Sequence, residues 1–390
     1  MKLLATLALA LGLILLNIST CLGDLRVGFY KGKCRNGVDV EVIVRGVVTA
    51  RFNRDHSIVA ALLRLYFHDC FVNGCDGSIL IDGPNSEKKA SPNGSVRGYD
   101  IINEAKAAVE RECPGVVSCA DIIALATRDA VALSVGWRWK YDVETGRRDG
   151  LVPGNVDLPP SRITVSQSIQ VFANKGLTVT DMVMLLGGGH SVGFTHCPFI
   201  MDRLYNFNNT NKPDPNMSPF LLTTLRSRCP PTGARDNQEV DLDQNPFSAF
   251  VVDPSSYQQA MMRRAILWVD QELAMHPETR GLVASMARGS GFPAQFGGAM
   301  TNLGRVGVLT GNQGQVRNRC NLVNPITAGN STPAVANKAS TSGTTAAATN
   351  NTSTNAPSAT TNSASTSAPS NGAANNENTS PVLGDINPMA

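Results

Sequence analysis

Apolar residues recur through the middle of the chain at the spacing of amphipathic helices. The stretches VEVIVRGVVTARF, SIVAALLRLYFHDCF and CADIIALATRDAVAL place apolar side chains three or four residues apart, as one face of a helix requires. Segments rich in Gly and Pro, such as GRRDGLVPGNVDLPPS, separate them, and strand-like alternation is rare. The pattern therefore predicts an all-α domain of about ten helices.

The two ends of the chain have different patterns. Lys2 is followed by an apolar run from Leu3 to Leu16 and by small and polar residues up to Gly23, the layout of a cleaved secretory signal peptide. Ala, Ser, Thr, Asn, Pro and Gly dominate the C-terminal segment and cannot bury enough apolar surface to fold. We therefore expect a signal peptide over residues 1–23, a folded domain over 24–325, and a disordered tail over 326–390. Glycosylation sequons in this tail begin at Asn330, Asn350, Asn351 and Asn378.

Charge and cysteine content narrow the class of protein. The formal net charge of +3 is too small to indicate nucleic acid or an anionic membrane as a partner. One of the nine cysteines, Cys21, lies in the leader, so eight remain in the mature chain. An even number in a secreted chain indicates four disulfides, but the spacing alone does not choose their pairing.

The segment RLYFHDCFVNGCDGS, residues 64–78, concentrates polar chemistry at the end of one predicted helix. If the helix SIVAALLRLYF continues into it, Arg64 and His68 are four residues apart and share a face. The helix is expected to end by Cys70, because VNGCDGS contains two glycines and has the composition of a loop. A base and a cation on one helical face can act together on one small ligand.

Two kinds of metal site are conceivable in this loop. Zinc prefers Cys and His ligands, and Cys70 and Cys75 in an oxidising compartment favour a local disulfide instead. Asp69, Asp76 and Ser78 are hard oxygen ligands at close spacing, which is what calcium prefers. A solvated polar loop remains the alternative on these residues alone.

A second constellation lies in LLGGGHSVGFTHC, residues 185–197. GHSVG matches the G-x-S-x-G elbow of serine hydrolases, and Ser191, Asp270 and His276 occur in a suitable order for a triad. The elbow needs a preceding strand, however, and TDMVMLL predicts a helix. Another interpretation makes His190 a metal ligand at a helix end, with the glycines giving a flat cofactor room to approach.

The two constellations together resemble the distal and proximal haem motifs of the secreted plant peroxidases, the class III haem peroxidases. The resemblance continues through SEKKASPN, ECPGVVSCADIIALATRDAV, GRRDG, LPPS, DQELA and TGNQGQVRNRC, and it covers residues 24–324. It implies an all-α haem peroxidase fold of about ten helices in two halves around haem b. It also implies four disulfides: Cys34–Cys113, Cys70–Cys75, Cys119–Cys320 and Cys197–Cys229.

The resemblance assigns roles on both sides of the iron. His190 is the proximal iron ligand, and Asp270 accepts a hydrogen bond from its ring. His68 is the distal base, which takes a proton from hydrogen peroxide and returns it to the leaving oxygen. Asn93 fixes the tautomer of His68, and Arg64 stabilises the charge that develops as the O–O bond breaks.

Further implied positions concern the donor. Phe67 shields the iron and directs reducing substrates to the haem edge, where Pro159 lies. The family usually has a further proline at the position of Ser161, which indicates an altered donor pocket here. The implied activity is reduction of hydrogen peroxide with oxidation of small phenolic donors, by a monomer secreted to the cell wall or sent to the vacuole. Besides the serine hydrolase, a haem-binding wall protein without turnover is an alternative, but such a protein would be expected to lose Arg64 or His68.

The resemblance also implies two calcium ions. The distal site comprises Asp69, Asp76, Ser78, the carbonyls of Val72 and Gly74, and Glu87 through water. The proximal site comprises Ser191, Asp243, Asn245 and Asp253. The family pattern D-x-x-T-P-x-x-F-D is rearranged here to DQNPFSAFVVD, with Asn245 in place of the usual Thr.

Overall fold

The computed structural model describes residues 25–233, 237–245, 247–289 and 291–325. The expected signal peptide and the tail with its sequons lie outside these residues. The described part contains twelve α-helices, which confirms the all-α prediction. In chain order they are α1 (Val40–Phe52), α2 (Ile58–Val72), α3 (Tyr99–Glu112), α4 (Cys119–Ser134), α5 (Val165–Asn174), α6 (Val179–Val183), α7 (Met201–Tyr205), α8 (Pro219–Arg228), α9 (Ser255–Met261), α10 (Trp268–Met275), α11 (Arg280–Ala287) and α12 (Phe292–Leu303).

The β-strands of the described residues form two short antiparallel ribbons. Strand β1 (Arg26–Val27) pairs with β2 (Glu144–Thr145), and β3 (Phe194–His196) pairs with β4 (Glu239–Asp241). The second ribbon matters for the site, because β3 follows directly on the GHSVG segment.

Local capping explains where several helices begin. The Asp39 side chain accepts from the backbone N–H of Glu41 at the start of α1, and Ser118 accepts from that of Asp121 at the start of α4. Thr164 and Thr178 begin α5 and α6 with reciprocal capping boxes. A side-chain oxygen at such a position satisfies a backbone donor that otherwise has no partner in the helix.

Helix α2 lies at the centre of the core. All of its residues are buried, and it packs against α4, while α1 packs against both α3 and α4. The helix ends at Val72, two residues beyond the expected end at Cys70. The two added residues include Phe71, whose ring stacks on that of Phe67 with centroids 4.6 Å apart and so favours continuation of the helix.

A second group of helices packs around α6. Helix α12 contacts α6, α9 contacts α11, and α10 contacts α9 and α11. The four disulfides have the pairing that the resemblance implies. The Cys119–Cys320 bond closes a separation of 201 residues and ties the start of α4 to the end of the domain. No helix in the described part of the chain is both long and apolar enough to cross a membrane.

Candidate active site

Arg64 and His68 lie on the same buried face of α2. His68 Nδ1 is 2.6 Å from Asn93 Oδ1, and Asn93 Nδ2 donates to the carbonyl of Glu87 at 2.9 Å. The second bond orients the Asn93 amide, so its Oδ1 can only accept, and Nδ1 of His68 therefore carries the proton. Nε2 of His68 is left with a lone pair, towards which Arg64 Nε donates at 3.3 Å.

Burial determines the protonation of both residues. Desolvation, together with the charge of Arg64, lowers the pKa of His68 to about 3, although the Asn93 hydrogen bond acts in the opposite direction. The imidazole is therefore neutral near pH 7 and can accept a proton. Burial lowers the pKa of Arg64 to about 10, so its guanidinium stays charged. It also donates to Ser95 Oγ at 2.9 Å and to the Pro92 carbonyl at 3.0 Å.

His190 ends the helical segment that begins with α6. Its Nδ1 lies 2.9 and 3.0 Å from the two carboxylate oxygens of Asp270, in the first turn of α10. Its Nε2 is buried and has no hydrogen-bond partner among the described residues. An imidazole held through one nitrogen by a carboxylate, with the other nitrogen unpartnered, is a typical metal-ligand arrangement.

A π-helical turn, Met184–Gly188, leads from α6 to His190. The sequence interpretation that the glycines here give a cofactor room is wrong for two of them. A Cβ on Gly187 would overlap the ring of Tyr257 in α9, and one on Gly188 would lie 2.5 Å from the ring of Phe296 in α12. Both glycines allow close helix packing, which fixes the segment that carries His190.

A cavity of about 380 Å³ is lined by residues of α2 and of the segment that follows His190. Its wall includes Arg64 from α2 and residues 193–196, which follow His190. The remaining lining residues are Ala60, Ala61, Gly94, Ser95, Val96, Arg97, Phe199 and Glu239. Pro159 is not one of them; it is half-buried in the irregular segment between β2 and α5. Phe67 is buried and contacts His68, with ring centroids 6.2 Å apart.

Sequence reasoning missed several of these lining residues as site candidates. Ser95 and Arg97 follow Asn93 closely, so proximity to that motif was the available signal. His196 was not missed in the same way, because its closeness to the proximal motif predicts packing at the haem periphery, and it lies in the cavity wall. Phe199 and Glu239 carried no signal, because only the chain's folding brings them to the cavity.

The residues present fit a haem group. His190 offers a buried, unpartnered nitrogen for iron. Haem also carries two carboxylate side chains, and Arg97 and His196 supply a cationic and a hydrogen-bonding group in the cavity wall. The donor set and the wall therefore match an iron porphyrin.

The C-terminal end of α2 and the segment that follows it contain buried oxygen atoms of the kind that bind calcium. Asp69 Oδ1, Ser78 Oγ and Glu87 Oε2 are buried without hydrogen-bond partners. Burial, followed by the charges of Asp76 and Glu87, raises the pKa of Asp69 well above its usual range. A bound cation would remove this penalty by favouring the ionised carboxylates.

Carboxylates alone do not complete this distal site. Within the described ranges, no three His, Cys, Asp or Glu side chains converge closely enough to hold a metal ion. The Ser78 hydroxyl and the loop carbonyls are therefore needed as ligands. The Val72 carbonyl already accepts from Lys175 Nζ at 2.7 Å, and the Gly74 carbonyl accepts from the Asp76 backbone at 2.8 Å.

The residues expected to form the proximal calcium site differ from the distal ones, because most of their oxygens already have hydrogen-bond partners. Asp243 Oδ2 accepts from Ser248 Oγ at 2.5 Å and from Ser255 Oγ at 2.8 Å. Asp253 Oδ1 accepts from the Ser255 backbone, and the side chain of Ser191 donates to the Gly188 carbonyl at 2.7 Å. Asn245 Oδ1 accepts from the backbone of Phe247 at 3.2 Å. Protein donors thus occupy oxygens that a calcium ion would use.

The hydrolase interpretation finds no support in this geometry. Ser191 is fully buried, Asp270 is paired with His190, and His276 instead contacts Ser166 at 3.1 Å. The segment before Ser191 is helical, whereas a nucleophile elbow follows a strand.

Comparison with known proteins agrees with these features. The peroxidase family model matches residues 44–289 of this chain. Peroxidase 60 of Arabidopsis thaliana is 50% identical over 303 residues, which cover 77% of this chain and 90% of that protein. Peroxidase 57 of the same plant is 48% identical over 304 residues, covering 77% and 93%. Peroxidase 5 of Vitis vinifera is 42% identical over 308 residues, covering 77% and 91%. The chain therefore belongs to the plant class III haem peroxidases, oxidoreductases that act on hydrogen peroxide.

Proposed function

We propose that this chain is a haem b peroxidase in which His190 ligates the iron and His68 handles the peroxide protons. The main support for this assignment is a pair of buried histidines whose Nδ1 atoms have different hydrogen-bond partners. His68 Nδ1 is held by an amide oxygen, which leaves a neutral base, and His190 Nδ1 is held by a carboxylate, which leaves a strong ligand nitrogen. The haem supplies the redox chemistry when bound.

The residues of the distal side divide the acid–base work. His68 Nε2 accepts one proton from hydrogen peroxide and later donates it to the departing oxygen, since one imidazole near its neutral form can do both. Arg64, charged and 3.3 Å from that nitrogen, stabilises negative charge on the peroxide oxygens. Asn93 keeps the proton on Nδ1, so that Nε2 always begins as the base.

The donors are small phenols that approach the open rim of the cavity, because its interior is the space assigned to haem. Its aromatic residues Phe194 and Phe199 support this class, because they can pack against a phenol ring. We also propose, from the resemblance, that Pro159 lies at the haem edge and that Phe67 shields the iron from the donor.

Calcium completes the proposal. The unpartnered oxygens of Asp69, Ser78 and Glu87 support one ion in the loop after α2, with Asp76 as a further ligand. The hydroxyl donors on Asp243 argue for a weaker or absent second ion on the His190 side. Outside the described residues, we propose a signal peptide over 1–23, which implies export to the wall or vacuole, and a glycosylated tail over 326–390. We also propose that the exported protein is a monomer.

Assays of purified protein with hydrogen peroxide and guaiacol test this function. We expect a Soret band and phenol oxidation, both retained in Ser191→Ala apart from any loss of stability. Ester hydrolysis that disappears in Ser191→Ala, in protein without a Soret band, would instead establish the hydrolase alternative.

A further inference from the structure

A carboxylate stands at the rim of the cavity, on the strand next to the segment that follows His190. Glu239 on β4 pairs directly with His196 on β3. Residues paired in this way project from the same face of an antiparallel ribbon, and the next residue, Val240, is buried on the other face. Glu239 and His196 both line the cavity, and Glu239 is exposed, so its carboxylate lies at the solvent edge.

The charge of Glu239 is not cancelled by an ion pair within the described part of the chain. Arg228 is close, but it donates to the backbone carbonyl of Glu239 at 2.6 Å. The arginines of the cavity wall have other contacts. Arg64 donates to Ser95 and Pro92, and Arg97 donates to Ser57 and lies over the ring of Phe194.

Glu239 thus places a negative charge at the solvent edge of the cavity, where a donor enters. A phenol entering there packs its ring near Phe194 or Phe199, and its side chain remains within reach of the field of Glu239.

We infer that Glu239 is a specificity-determining residue that favours phenols with an ammonium group on the side chain over phenols with a carboxylate. This inference rests on the proposed function. In the reaction, two phenols each lose one electron and one proton, and these reduce one hydrogen peroxide to two waters. Glu239 takes no part in that transfer and acts only through the affinity for the donor.

Three phenols that share a para-methylene group isolate the charge of the side chain. Tyramine carries an ammonium group, 4-(2-hydroxyethyl)phenol is neutral, and 4-hydroxyphenylacetate carries a carboxylate. The kcat/KM of the holoenzyme is measured with each at pH 7 and low salt. In Glu239→Gln we expect a loss of about threefold with tyramine, a gain of about threefold with 4-hydroxyphenylacetate and no change with the neutral phenol. The changes should appear in KM, and added salt should reduce the preference of the unmodified enzyme.

Asp241→Asn is the matched control. Asp241 is exposed on the same strand and pairs with Phe194, but it does not line the cavity. An unchanged ratio of tyramine to 4-hydroxyphenylacetate in Glu239→Gln would overturn the inference, and so would an equal change in Asp241→Asn. Turnover of the neutral phenol would show in either case that the peroxidase function itself stands, whereas failure to oxidise all three phenols would overturn both.

Discussion

At the scale of single residues, His68 has the most demanding environment in the candidate site. It is fully buried, its Nδ1 is held by Asn93, and its Nε2 lies beside a guanidinium. His68→Ala should slow the reaction with peroxide by about 10²–10⁴-fold while haem stays bound, because general acid–base catalysis contributes that much. Stopped-flow absorbance measures the rate. The control His276→Ala removes a histidine that contacts Ser166, and it should leave the rate unchanged. If His68→Ala lowers the rate by less than about tenfold, another group is the base.

The pH dependence follows from the same residue. Because burial lowers the pKa of His68 to about 3, the neutral base persists through mildly acidic solution. The rate of reaction with peroxide should therefore stay level as pH falls from 7 and decline only as it approaches about 3. The unfolded chain binds this proton at a higher pH than the folded chain, so stability should fall below about pH 6.5. A rate that already halves near pH 6.5 would mean that His68 is not shielded from water.

The positions of the candidate catalytic residues were more predictable than their surroundings. Arg64 and His68 are four residues apart, so helical periodicity alone places them together. Asn93 and Asp270 lie 25 and 80 residues from their histidines and came only from the resemblance. Neither helical periodicity nor the resemblance could predict the position of Glu239, because it reaches the cavity through strand pairing with His196, which is distant in sequence.

At the scale of helices, the stability of the protein should be sensitive to one added carbon in the closely packed segment before His190. Gly187→Ala places a Cβ against Tyr257 and should cost about 1–3 kcal/mol of unfolding free energy. Gly298→Ala in α12 is the control, since nothing lies within 4 Å of the position of its Cβ, and replacing a helical glycine there should stabilise by about 0.4–1 kcal/mol. Urea unfolding measures both. Equal effects of the two substitutions would contradict the packing role of Gly187.

Calcium bound at the end of α2 would be coupled to the helix that carries Arg64 and His68. Chelation should lower the thermal midpoint and the peroxide activity together, because Asp69 belongs to the same helix as His68. At calcium a hundredfold above its dissociation constant, the stabilisation lost is about 2.7 kcal/mol. Elemental analysis should find close to one ion per chain, lost in Asp69→Asn and retained in Asp243→Asn. Calcium-free protein with full activity, never exposed to chelator, would refute this site.

At the scale of the molecule, periodicity predicted the helical class and roughly the number of helices, because an apolar stripe is a local property of sequence. The end of α2 was placed two residues short, since the Phe67–Phe71 stack outweighs the loop composition. The role of the glycines before His190 was mistaken for a similar reason: their neighbours come from α9 and α12, far along the chain. Local patterns thus gave the elements, and contacts between distant elements determined the details of the site.

The absorption spectrum of His190→Gly, with and without added imidazole, tests the central claim most directly. If His190 holds the haem iron, the unmodified protein has a Soret band, His190→Gly loses or shifts it, and free imidazole restores it by entering the space left by the side chain. His68→Ala should keep the band of the unmodified protein. A Soret band that is identical in the unmodified protein and in His190→Gly without imidazole would contradict the account.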